Sequence, residues 1–111
     1  MDEATETLVE FVSDFNSEIE EHSEALTEMA EQGTTEEREY ATKSFEVNEI
    51  LQTIQVGEEL TAEQCDALGE GVAIWEEEAV KYTPGLFYKI GLGRKKVERY
   101  KKMEENICGI D

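Results

Sequence analysis

Apolar residues recur at steps of three and four along most of this chain, the spacing that lines one side of an α-helix. From residue 3 to 32 the stripe reads Leu8, Phe11, Val12, Phe15, Ile19, Leu26 and Met29, with His22 between Ile19 and Leu26. Gly33 follows where a helix would stop. A second helix is expected over 35–55, capped by Thr34 or Thr35, with Tyr40, Val47, Ile50, Leu51 and Ile54 turned inward. Glu36 and Glu37 fall in its first turn, where negative charge meets the positive end of the helix dipole. Phe45 and Val56 lie about half a turn from that stripe, and Phe45 is expected to cover a neighbouring helix.

Thr61-Ala62-Glu63-Gln64 has the form of a capping box and opens a third helix, 61–82. Its stripe of Cys65, Leu68, Val72, Trp75, Ala79 and Tyr82 alternates strictly between steps of three and four. Gly69 and Gly71 weaken that helix by roughly 1 kcal/mol each relative to alanine, so close packing or a kink is expected there. Pro84-Gly85 ends it, because proline cannot continue a helix. A fourth helix is expected over 86–106, with Leu86, Ile90, Val97, Tyr100, Met103 and Ile107 as its apolar stripe. Gly91 and Gly93 interrupt it and would divide it in two. Four helices with short connections, in a single domain 1–111, give an all-α fold: a four-helix antiparallel bundle.

Charge changes the picture from fold to partner. Residues 1–80 carry 24 Asp/Glu against Arg38 and Lys43, a net of −22, while residues 81–111 carry eight Lys/Arg against four acids, a net of +4. High charge with modest hydrophobicity is also the composition of disordered chains. Four Phe, four Tyr, one Trp and the regular periodicity argue for a folded domain instead. Of the 28 acids 24 are Glu, a helix-compatible choice, and Lys outnumbers Arg seven to three. That balance counts against a salt-adapted housekeeping domain.

Cys65 and Cys108 stand 43 residues apart, in neither metal nor redox spacing, and the start Met1-Asp2-Glu3 is the opposite of a basic secretory leader. Reduced, free thiols and a cytoplasmic location are therefore expected, with Cys65 inert on an apolar stripe. No apolar run is long enough to span a bilayer.

Catalytic and cofactor chemistry find little support. Carboxylate-bridged di-metal bundles need Glu-x-x-His pairs. His22 is the one histidine and Ile19 stands three residues before it, so neither a metal nor another cofactor is expected. Gly91-Leu92-Gly93-Arg94-Lys95-Lys96 lacks the glycine spacing of a dinucleotide loop and the ending of a P-loop. It reads better as the start of a basic helix with Arg99, Lys101 and Lys102. Those six cations, with Tyr88 and Tyr100 as stacking surfaces, would suit nucleic acid phosphates, but the −22 segment would repel the same polyanion. Neutralisation of the acidic helices on which the basic helix packs is the better reading.

The acidic surface remains. Glu20, Glu21, Glu24, Glu28, Glu31, Glu36, Glu37, Glu76, Glu77 and Glu78 are the expected contact residues, with Phe45 or Trp75 as apolar anchors if exposed. Carboxylates at helical spacing suit a basic protein partner, above all a nucleic-acid enzyme whose groove accepts regular negative charge. In charge and size the chain resembles the small acidic helical proteins of phages and other mobile elements that inhibit such enzymes, without sharing a motif with them. A non-enzymatic acidic binding module acting as an inhibitor is therefore expected. The alternatives are self-association into a homodimer, acidic face against basic helix, and direct nucleic acid binding through the basic helix.

Overall fold

Side-chain caps decide where the helices begin. The computed structural model describes residues 2–78 and 93–109, and side chains over 2–76 and 96–109. Helix α1, Glu3–Glu21, starts where the Asp2 carboxylate accepts the Thr5 N–H at 2.8 Å, a bond that holds the Asp2 pKa below its usual range. Helix α2 is Ser23–Gln32. Helix α3, Thr35–Leu51, opens on a reciprocal box: the Glu37 N–H donates to the Thr34 hydroxyl and the Thr34 N–H to the Glu37 carboxylate. Helix α4, Ala62–Ala73, opens on the same device from Thr61 and Gln64 and runs into a π-helical turn, Ile74–Glu78. Helix α5 is Gly93–Cys108.

Among the described residues there are thus five α-helices rather than four, and the first expected helix is two. The break falls at His22, whose backbone (φ −103°, ψ 16°) leaves the helical region for one residue. A straight helix of 30 residues would be about 45 Å long, far beyond the reach of the 17-residue α3. Turning at His22 keeps Leu26 on the core while α1 lies against α5. The second expected helix also stops early, at Leu51. Just past its end, the Gln64 amide nitrogen donates to the Thr53 hydroxyl at 3.1 Å. The expected stretch through Tyr82 to Pro84-Gly85, the helix start at Leu86 and the Gly91 interruption lie outside the described residues.

Cross-contacts set the directions of packing. Gln64 reaches Thr53 while Gly71 faces Val47, so α3 and α4 run antiparallel. Cys65 is joined to Cys108 and Gly69 faces Glu104, so α4 and α5 do too. Asp14 meets Lys96 and Glu10 meets Arg99, which sets α1 against α5 in the same sense. Asn48 donates to Asn16 at 3.1 Å and ties α3 to α1.

The interior is an aromatic cluster drawn from three elements. Phe11 and Phe15 of α1, Trp75 of the π turn and Tyr100 of α5 lie with ring centroids 4.9–5.7 Å apart. Such pairs contribute about 0.5–1.5 kcal/mol each beyond the area they bury. Leu8, Leu26, Val47, Leu51, Leu68 and Met103 are among the residues packed around it in the core. The wide turn holds the consecutive Ile74 and Trp75 both inside. Trp75 is 1% exposed, which removes it as a docking residue. Its place on the strictest apolar stripe of the chain is the reason.

The expectation of free thiols is also overturned. Cys65 and Cys108 form a disulfide, their Cα atoms 5.6 Å apart, because antiparallel packing sets the first turn of α4 beside the last turn of α5. Closing a loop of that length contributes about 4 kcal/mol on the chain-entropy account.

Two glycines give a direct check. A Cβ on Gly71 would stand 3.1 Å from the Phe11 ring and 3.3 Å from Val47, both packed in the core. On Gly69 it would meet only the movable end of Glu104. Gly71→Ala is expected to lower unfolding free energy by about 1–3 kcal/mol through overpacking. Gly69→Ala is expected to raise it by up to about 1 kcal/mol through helix propensity. Urea denaturation of the two variants beside wild type checks both signs.

Candidate protein-binding surface

Three cations of the basic helix are paired within the molecule. Lys96 Nζ lies 3.2 Å from both Glu10 and Asp14, Arg99 pairs with Glu10, and Lys101 Nζ lies 2.8 Å from Glu76. That hydrogen bond holds the Lys101 pKa above the ordinary lysine range. Lys96 and Arg99 also sit 5.9 Å from the Tyr100 ring centroid, one cation on each count. Tyr100 is 1% exposed, so it offers no stacking surface to a base. Lys102 remains exposed, while the side chains of Arg94 and Lys95, like Tyr88, lie outside the described residues.

Compensation on that side leaves the opposite side uncompensated. Helix α5 packs on α1, α4 and the π turn, whereas α2 packs on α3 and α1, and α3 also packs on α1, α4 and the π turn. Glu24, Glu28 and Glu31 form an exposed row along α2. Glu36, Glu39, Glu46 and Glu49 form another along α3, at spacings that keep them on one side of the helix. Among the described residues none of these seven carboxylates has an ion pair. The nearby cations Arg38 and Lys43 are few, and Arg38 Nε donates to the Gly33 carbonyl.

The expected contact residues therefore separate. Glu20, Glu24, Glu28, Glu31 and Glu36 are exposed at the α1–α2 junction, on α2 and at the start of α3, and Glu21 is exposed beside them. Glu37 is tied into its capping box, and Glu76 is paired with Lys101 on the far side. The side chains of Glu77 and Glu78 lie outside the described residues. Phe45 is partly buried against the core, as its expected covering role requires. Glu46 and Glu49 went unremarked in the sequence, although both fall off the inner stripe of α3. Between them Ile50 and Thr53 line a shallow, mainly apolar depression, and Val56, 50% exposed, follows just beyond.

A second cluster marks the helix break. Glu18, Glu21 and His22 bring three ligand-capable atoms within 4.8 Å of one another. His22 Nε2 stands 3.5 Å from Glu18 Oε2, and both atoms are buried without a hydrogen bond. A hydrogen bond between the two would satisfy both atoms. A divalent ion would do so with one imidazole and two carboxylates as donors, one of them the exposed Glu21. The cysteines are no part of this set, being bonded to each other.

Compared with protein-family models, curated proteins and solved structures, the chain matches none of them. Among the described residues no helix is long and apolar enough to cross a membrane.

Tyr100 provides the electrostatic check of the α1–α5 seam. Its hydroxyl donates to Asp14 at 3.1 Å, and burial, then the Asp14 and Glu10 carboxylates, push its pKa far above the ordinary 10.0. A raised folded-state pKa contributes stability that is whole below the unfolded value and is lost as pH climbs above it. Tyr100→Phe is expected to cost about 0.5–1.5 kcal/mol near neutrality. The deficit should shrink above pH 10.0, where only wild type must hold back an ionising phenol. Denaturant titrations of both proteins from pH 7 to 11 check it.

Proposed function

We propose that this chain is a non-enzymatic acidic binding module that engages a basic nucleic-acid-binding protein and competes there with DNA or RNA. The observation that carries the reading is the unpaired carboxylate surface of α2 and α3, set apart from cations already consumed between α1 and α5. Rows of carboxylates at helical spacing attract a basic groove over long range and raise the association rate, an effect that salt screens. Glutamates alone give weak residence. The Ile50–Thr53 depression between Glu46 and Glu49 is the apolar contact best placed to prolong it, now that Trp75 belongs to the core.

Self-association through α5 and direct nucleic acid binding draw less support, because Lys96, Arg99 and Lys101 are engaged within the chain.

Capture from lysate at about 50 and 200 mM salt tests the reading, with wild type beside a Glu24/Glu28/Glu36/Glu39→Gln variant. The expected result is a basic nucleic-acid protein held by wild type, displaced by duplex DNA, and bound roughly tenfold or more weakly at higher salt. The variant should lose it. Equal capture by both proteins, or none by either, would contradict the assignment.

A further inference from the structure

We propose that the Cys65–Cys108 disulfide is a redox latch that decides whether α5 stays seated on α1 and α4. Val97, Tyr100 and Met103 are the α5 side chains buried in the core, Ile107 packs against its edge, and the remaining non-covalent attachments are ion pairs with partly exposed partners. Pairs of that kind hold an element weakly. The disulfide instead ties the last residue of α5 directly to the first turn of α4. It is the single covalent constraint across the chain, and its removal falls on α5 first.

The rest of the molecule is cross-linked without α5. Asn16 bonds Asn48 between α1 and α3, Gln64 bonds Thr53 between α4 and the end of α3, and Gly71 lets α4 close on Phe11 and Val47. Helix α5 can therefore leave while α1–α4 persist. Both cysteines are partly exposed, within reach of a soluble thiol.

The chemistry is ordinary exchange with a dithiol reductant. One thiolate of the dithiol attacks one sulfur of the Cys65–Cys108 bond, which breaks, and the released cysteine thiolate takes a proton. The second thiol of the reductant then attacks the mixed disulfide and frees the other cysteine. Two electrons and two protons pass to the protein, and the dithiol leaves as a disulfide. Unlatching carries Lys96 and Arg99 away from Glu10 and Asp14 and opens Trp75 to solvent. The latch does not depend on the identity of any partner.

Hydrogen exchange of the full chain with and without dithiothreitol tests the latch, with Trp75 emission followed in parallel. Reduction is expected to speed exchange of α5 amides roughly 100-fold or more and to shift Trp75 emission to the red. Amides of α1–α4 should stay protected, and reoxidation should restore the original pattern. A Cys65→Ser/Cys108→Ser double variant should match the reduced protein under both conditions. Three results would overturn the proposal: unchanged α5 protection after reduction, loss of protection throughout the molecule, or two titratable free thiols in the air-oxidised folded chain.

Discussion

Tyr100 seated against Phe11 and Trp75 is the contact that joins the two ends of this chain. It brings the last helix onto the first and onto the π turn, with ring centroids 4.9 and 5.6 Å away. Its hydroxyl reaches Asp14, and its flanking cations Lys96 and Arg99 reach Asp14 and Glu10. A chain of net charge −18 needs such a seam, since α1 would otherwise add its carboxylates to an already repulsive surface. Hydrophobic burial supplies the attraction, and the ion pairs around it remove a penalty more than they add stability.

The same seam divides the molecule electrically. Lys96, Arg99 and Lys101 of α5 are spent on α1 and on Glu76, whereas the exposed carboxylates of α2 and α3 face solvent or a partner. Even the shortest extent of the molecule, 24 Å, is about three Debye lengths at physiological salt, so charges on opposite sides are largely screened from one another. A partner meeting α2 and α3 meets a strong negative field, whatever the neutralised side presents.

Local signals in the sequence were honoured where they concerned single helices. Thr61 and Gln64 form their capping box, Thr34 caps α3, and the inner stripe residues Phe11, Val47 and Leu68 are buried. What failed to show were facts that arise only when helices meet. The pairing of Cys65 with Cys108 follows from antiparallel packing and has no signature in a 43-residue spacing. The break at His22 did leave a trace, as a polar residue in the seven-residue gap between Ile19 and Leu26, but spacing alone does not distinguish a gap from a turn. Trp75 was placed correctly by period and wrongly by chemistry, because a large aromatic beside three glutamates resembles an anchor. Among the expected contact residues, Glu24, Glu28 and Glu31 are legible as a row, whereas the pairing of Glu76 requires knowing that Lys101 lies opposite.

The central claim is that negative charge available to a partner resides on α2 and α3. Chemical-shift mapping of the oxidised protein with a short lysine-rich peptide tests it most directly. The account predicts that shifts concentrate on amides near Glu24, Glu28, Glu31, Glu39, Glu46 and Glu49 and fade as salt is added. Shifts spread evenly over the surface, or centred on Glu10, Asp14 and α5, would contradict it.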